Sequence, residues 1–120
     1  LLHSGHLKVL EEAKSFGDKL VVGINSDDSI RRIKGDKRPI IPLEDRVKML
    51  AALECVDFVV SFDQKTPYAL IKKIMPDVLV KGGDWEGKVV IGSDLVEDVR
   101  FVELLEGMST TEIINKASRS

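Results

Sequence analysis

Apolar positions follow two rhythms along this chain. Leu7, Leu10 and Ala13 recur at the helical spacing, Lys14 keeps their register, and Lys8, Glu11 and Glu12 fall on the outer side. Phe16-Gly17-Asp18 ends that helix with a glycine turn. Leu20 to Ile24 is then an unbroken, β-branched apolar run, the pattern of a strand buried on both faces. Asn25-Ser26-Asp27-Asp28 follows as a polar loop, and the stretch from Ile30 to Pro39 predicts a short helix and a mobile loop, with Gly35 and Pro39 as breakers. Pro42 to Glu54 is the clearest helix, with Val47, Leu50, Ala51 and Leu53 toward the core. Asp57 to Ser61 predicts a second buried strand. Thr66 as N-cap and Pro67 at the first helical position open another helix, whose apolar face is Leu70, Ile71 and Ile74 and which Pro76 stops. Val78 to Lys81 and Val99 to Leu104 predict third and fourth strands, and Ser109-Thr110-Thr111 caps a last helix through Ile113, Ile114 and Ala117.

Strands alternating with helices, each strand a continuous apolar run, predict an α/β domain: a Rossmann-like open parallel sheet with helices on both faces. In such sheets ligands bind beyond the carboxyl ends of the strands. The polar segments gather at that edge: Ser26-Asp27 after one strand, Lys81-Gly82-Gly83-Asp84 after another, and Ser109-Thr110-Thr111 near the last helix.

Composition narrows the class. The 120 residues suit one domain, and 43% hydrophobic with 32% charged residues is a globular balance. A formal charge of −2 argues against a broad electrostatic grip on nucleic acid. No apolar run approaches the roughly 20 residues that span a bilayer, so neither nucleic acid nor membrane is the expected partner. Cys55, the single cysteine, precludes an intrachain disulfide, suits a reducing cytoplasm and reads as a core residue. The chain opens on Leu-Leu-His without Met and with no strand before its first helix, which predicts that residues 1–120 are an N-terminally incomplete domain.

Both histidines, His3 and His6, flank Ser4-Gly5 at the entrance to the first helix. There a bound phosphate would meet backbone N–H groups and the positive helix end, with two imidazoles to stabilise charge that develops in phosphoryl or nucleotidyl transfer and Gly5 permitting close approach. The competing reading is a pair of surface or metal-binding histidines; no further His or other Cys completes a zinc site, and no protein side chain is assigned to a metal. Arg31, Arg32, Lys34, Lys37 and Arg38 place five cations within eight residues of an otherwise acidic chain, either a solvated patch or a flap over an anionic substrate, with Lys34 the best single candidate. Ser109-Thr110-Thr111 could be a plain N-cap supported by Glu112, Arg46 could pair with Asp45 or Glu44, Gly82-Gly83 could be only a turn, and Asp27 and Asp28 could cap the next helix, Asp28 the better of the two. Trp85 could stack on a base or simply pack.

Taken together, His3-Ser-Gly-His6, Pro42-Leu-Glu-Asp-Arg46, Val80-Lys-Gly-Gly-Asp84 and Ser109-Thr-Thr-Glu-Ile-Ile114 resemble, in order and over nearly the whole chain, the cytidylyltransferase-like nucleotidyltransferase superfamily with its H-x-G-H and S-T-T-x-I-I signatures. That family has a first strand before the H-x-G-H loop, which this chain lacks. Asp84-Trp85-Glu86-Gly87-Lys88 resembles the glycerol-phosphate cytidylyltransferases, yet Leu104 and Glu54 stand where those enzymes carry arginines. Asn25-Ser-Asp27, Lys34-Gly-Asp-Lys-Arg-Pro39, Leu53-Glu-Cys-Val-Asp57 and Val80-Lys-Gly-Gly-Asp84 instead resemble the branch that makes ADP-heptose. The resemblance implies ATP, used with Mg²⁺, and a heptose 1-phosphate as substrates. It implies His3, His6 and Lys34 as catalytic groups. Gly5, Asp27, Arg46, Lys81, Gly82, Gly83, Asp84, Ser109, Thr110 and Thr111 would bind nucleotide or phosphate. It further implies a family that often dimerises and that occurs fused to a sugar kinase domain. Rival expectations are a cytidylyltransferase acting on glycerol 3-phosphate or a similar polyol phosphate, and a non-catalytic nucleotide-binding or scaffold domain.

Overall fold

A computed structural model describes residues 4–35, 42–82, 88–102 and 112–116. Among these residues four α-helices, α1 (Ser4–Ser15), α2 (Asp27–Lys34), α3 (Leu43–Ala51) and α4 (Tyr68–Ile74), and a 3₁₀ turn at Ser93–Leu95 accompany five strands, β1 (Lys19–Asn25), β2 (Phe58–Phe62), β3 (Val78–Gly82), β4 (Asp98–Val102) and β5 (Glu112–Lys116). The strands form one sheet in the order β2-β1-β5-β3-β4. β1 pairs parallel with β2, from Val21 opposite Phe58 to Asn25 opposite Phe62, and β3 pairs parallel with β4.

The α/β architecture is as expected, and its two faces follow from the alternation of side chains along a strand. Leu20, Val22 and Ile24 of β1 and Val78 and Val80 of β3 point to one face, where Val9, Leu10 and Ala13 of α1 and Leu50 of α3 cover them. Val21 and Leu79 point to the other face, against Ile71 of α4 and Val90. Helices therefore lie on both faces, and β1 and β3 are buried on both. β2 and β4 are the edges: Phe58 is 57% exposed, so β2 is a half-open edge strand where the sequence suggested a buried one. Ala51 is likewise exposed at the end of α3, not turned to the core.

Two expectations change. Ile113 and Ile114 lie in a strand, not in a helix capped by Ser109-Thr110-Thr111; those three residues and Ala117 lie outside the described residues. β5 pairs antiparallel with β1 (Val21 opposite Ile114) and with β3 (Leu79 opposite Ile114), so the sheet is mixed, with β1 to β4 mutually parallel. The physical reason is backbone satisfaction. The inner edges of two buried strands need a hydrogen-bonding partner, and two adjacent isoleucines suit a pleated strand as well as a helix. α4 starts at Tyr68, one residue later than expected, with Pro67 at the N-cap and no side-chain cap, so Thr66 does not cap it. Its end is as expected: Met75 turns into the left-handed region at φ 51° and donates its N–H to the Ile71 carbonyl (2.7 Å) before Pro76.

The amino edge of the sheet is fastened by Asp57. Its carboxylate accepts from the Leu20 N–H (2.7 Å) and pairs with Lys14 at the end of α1, while its own N–H donates to the Leu20 carbonyl (3.0 Å). Cys55 is half-buried against the same core, where burial pushes its thiol above the usual range.

Two outcomes follow. Gly92 has φ +91°, and a Cβ there would lie 2.6 Å from Ile71 Cδ1. Gly92→Ala should therefore lose about 1–3 kcal/mol in denaturant unfolding, from backbone strain and overpacking together. The Lys14 hydrogen bond, aided by the Leu20 N–H, holds the Asp57 carboxyl below the ordinary carboxylate range. Its stabilisation is thus complete above the unfolded-state value of about 3.9 and is lost as pH falls through the lower folded-state value. Asp57→Asn should be less stable at neutral pH and should lack this part of the acid unfolding limb, checked by thermal melts across pH.

Candidate active site

Because β1, β2, β3 and β4 are parallel, their carboxyl ends at Asn25, Phe62, Gly82 and Val102 share one edge. β5, running the opposite way, begins at that side, with Glu112 paired to Gly23. α1 reaches it as well. Its last turn lies by Asp57 at the amino edge, and the 12-residue helix then runs back over the sheet for about 18 Å. The backbone of Ser4, Gly5 and His6, its first turn, is thereby brought toward the carboxyl ends of the strands.

The edge is organised around the end of β1. The Ser26 N–H donates to the Phe62 carbonyl (2.9 Å), extending the β1–β2 ladder by one bond. Ser26 then turns the chain into α2 as its N-cap, its Oγ accepting from the Ser29 N–H (3.2 Å). The cap is therefore Ser26 and not Asp28, which is exposed and pairs with Arg31. Asp27 and Asp28 form the first turn of α2, where carboxylates suit the positive helix end.

Ser29 is fully buried. Its hydroxyl donates to the Gln64 carbonyl (2.7 Å) and accepts from Asn25 Nδ2 (3.0 Å), joining β1, α2 and the turn that follows β2. Arg32 adds a second stitch to that turn through the Asp63 carbonyl. Sequence reasoning missed Ser29 and Asn25. The Ser-x-x-Ser spacing signals a cap but carries no sign that the second hydroxyl is enclosed.

Asp27 and Arg46, expected at the nucleotide site, are brought together. Asp27 Oδ1 accepts from Arg46 Nη2 (2.8 Å) and from the Leu43 N–H (2.9 Å), while Arg46 Nη1 donates to the Asn25 carbonyl (2.8 Å). Arg46 therefore pairs with Asp27 and not with its helix neighbours; Glu44 holds Lys48 instead. Lys81, 5% exposed, and Gly82 end β3. Of the basic stretch, Arg31 and Arg32 have the protein partners given above, and the backbone of Lys34 ends α2. His3, Gly83, Asp84, Trp85, Ser109, Thr110 and Thr111, with the side chains of His6 and Lys34, lie outside the described residues. Among the described residues no three His, Cys, Asp or Glu side chains converge as a metal cage, and no helix is long and apolar enough to cross a membrane.

The family model described as cytidylyltransferase-like matches residues 1–116. The chain is 57% identical, over all 120 residues, to the protein named Bifunctional protein HldE of Wolinella succinogenes, and 53% identical, again over 120 residues, to that of Helicobacter pylori strain J99. It spans about a quarter of these relatives: 25% of the first and 26% of the second. Among solved structures it is similar to the lipopolysaccharide core biosynthesis protein of Thermoplasma volcanium, with a TM-score of 0.68, 27% identity, and coverage of 85% of this chain and 88% of that one.

Ser29→Ala would take from the Gln64 carbonyl and the Asn25 amide their shared partner at a fully buried position. It should cost about 1–3 kcal/mol in chemical unfolding. Ser29→Thr, which keeps the hydroxyl but adds a methyl in a filled site, should not restore the wild-type value.

Proposed function

This chain belongs to the cytidylyltransferase-like family, and within it we propose an adenylyltransferase that joins ATP and D-glycero-β-D-manno-heptose 1-phosphate to give ADP-heptose and pyrophosphate. The observation that carries this reading is the 57% identity, across the entire chain, to a relative named as bifunctional and about four times as long. A domain covering a quarter of such a protein suits one of two activities, and we read the remainder as a sugar kinase that supplies the phosphorylated sugar. Similarity to a lipopolysaccharide core biosynthesis protein supports a sugar-nucleotide product for the inner core. Such substrates, with a single free cysteine, suit the cytoplasm.

The chemistry needs no protein nucleophile. An oxygen of the sugar phosphate attacks the α-phosphorus in line; the bond from that phosphorus to the bridging oxygen breaks, and pyrophosphate leaves with the electron pair. Catalysis is positioning and electrostatic stabilisation. His3 and His6, at the amino end of α1, would donate hydrogen bonds to the phosphates as charge grows. Lys34, whose backbone ends α2, would neutralise phosphate charge. Lys81, Gly82, Gly83 and Asp84 would line the nucleoside pocket after β3. Ser109, Thr110 and Thr111, ahead of β5, would bind phosphate oxygens. Mg²⁺, when bound with ATP, neutralises phosphate charge.

Pyrophosphate release should be fastest with ATP and the heptose 1-phosphate. A preference for CTP with glycerol 3-phosphate would overturn the reading, and no release with either pair would favour a scaffold. His6→Ala should lower kcat by about 10²–10³-fold while leaving the circular dichroism spectrum unchanged.

A further inference from the structure

We infer that Asn25 is a substrate-binding residue whose side-chain oxygen, Oδ1, accepts a hydrogen bond from a hydroxyl group of the sugar phosphate, with the buried Ser29 as the positioning residue that orients it; this rests on the functional reading above. Topology brings Asn25 to the place where a ligand is expected. β1 and β3 flank β5, and from them the parallel pairing runs outward in opposite directions, β1 to β2 and β3 to β4. In open α/β sheets ligands bind where the strand order diverges in this way, beyond the carboxyl ends of the strands. Asn25 is the last residue of β1 and Gly82 the last of β3, one on each side of that point. The main chain of Asn25 is fixed there. Its carbonyl accepts from Arg46 Nη1 (2.8 Å), and it stands in register with Phe62 of β2.

The orientation of the side-chain amide follows from counting hydrogens. A serine hydroxyl has one to give. Ser29, fully buried, gives it to the Gln64 carbonyl (2.7 Å). Toward Asn25 the same hydroxyl can therefore only accept, so the atom that meets it at 3.0 Å is the amide nitrogen, Nδ2. Reversing the amide would set two acceptors against each other or draw the Ser29 hydrogen away from Gln64, and either costs a hydrogen bond at a buried position. Oδ1 is consequently held on the side of the amide away from Ser29. Asn25 is only half-buried, and among the described residues no group donates to Oδ1. A neutral acceptor of this kind does not suit phosphate oxygens, which are acceptors themselves, but it suits the hydroxyl groups of a sugar. The nucleoside is assigned above to the residues after β3, about 10 Å away across β5. The β1 side is thereby left to the sugar phosphate.

Steady-state pyrophosphate release and thermal midpoints should be measured for Asn25→Ala, Ser29→Ala and the double variant, varying ATP and the heptose 1-phosphate in turn. Asn25→Ala should raise KM for the sugar phosphate roughly tenfold while KM for ATP stays within about twofold. Its midpoint should stay closer to that of the wild type than that of Ser29→Ala does, because the Ser29 hydroxyl keeps its own acceptor. Ser29→Ala, which leaves the amide in place but free to turn, should raise the same KM by a smaller factor, and the double variant should match Asn25→Ala in that KM. Heptose 1-phosphates that each lack one hydroxyl supply a readout that a purely structural role would not move. One of them should show a KM about tenfold above that of the parent sugar with the wild type, and no such rise with Asn25→Ala. Should Asn25→Ala fail to fold, Asn25→Val, better suited to a strand end, takes its place with the same expectation. A KM change for ATP as large as that for the sugar phosphate, losses that multiply in the double variant, or deoxy sugars that affect wild type and variant alike would each overturn the inference and leave the adenylyltransferase reading intact. A wild type that releases no pyrophosphate from this substrate pair overturns that reading, and the inference with it.

Discussion

Backbone hydrogen bonding along both sides of β5 joins two parallel strand pairs into one sheet, and the placement of the rest depends on it. β1 with β2 and β3 with β4 are each complete in themselves, but their inner edges present rows of N–H and C=O groups in the middle of the domain. Buried groups of that kind must be paired. β5 pairs with both, and its antiparallel direction leaves β1 and β3 pointing the same way. That shared direction puts Asn25 and Gly82 on one edge and allows α1 to cross the sheet centre, touching β1, β5 and β4.

The carboxyl edge is built from two polar devices of different kinds. The Asn25–Ser29–Gln64 network is neutral and centred on the fully buried Ser29, so its worth lies in pairing a hydroxyl that would otherwise be buried without a partner. The Asp27–Arg46 pair is ionic and partly open, and its ties to Leu43 and Asn25 determine position more than stability. The first fixes α2 against the β2 side of the sheet; the second fixes α3 against α2.

Much of this was legible in the chain itself. The runs around Val22 and Leu79, apolar at every position, announce strands buried on both faces. The helix around Leu50, the stop at Pro76 and the single Cys55 all have local causes that hold in any context. The motif order, from His3-Ser-Gly-His6 to Ser109-Thr-Thr111, carried the family, which the match over residues 1–116 shows. The cap of α2 was half legible: Ser, Asp and Asp at 26–28 all suit a helix start, and only the Ser29 N–H meeting Ser26 Oγ selects one.

What sequence alone determined, then, is what local sterics and apolar periodicity determine: element types, their order, and the edge at which polar residues follow strands. Tertiary structure decided the rest, wherever two outcomes have similar local cost. Ile113 and Ile114 suit a helix or a strand almost equally, and the unpaired inner edges of β1 and β3 chose the strand. Arg46 had acidic neighbours within its own helix, yet it pairs with Asp27, 19 residues away, where a carboxylate and the Asn25 carbonyl meet two arms of one guanidinium. Ser29 looks like any helix serine until β2 brings the Gln64 carbonyl to it. Pairings across such separations are set by which strands become neighbours, and that is a property of the folded sheet.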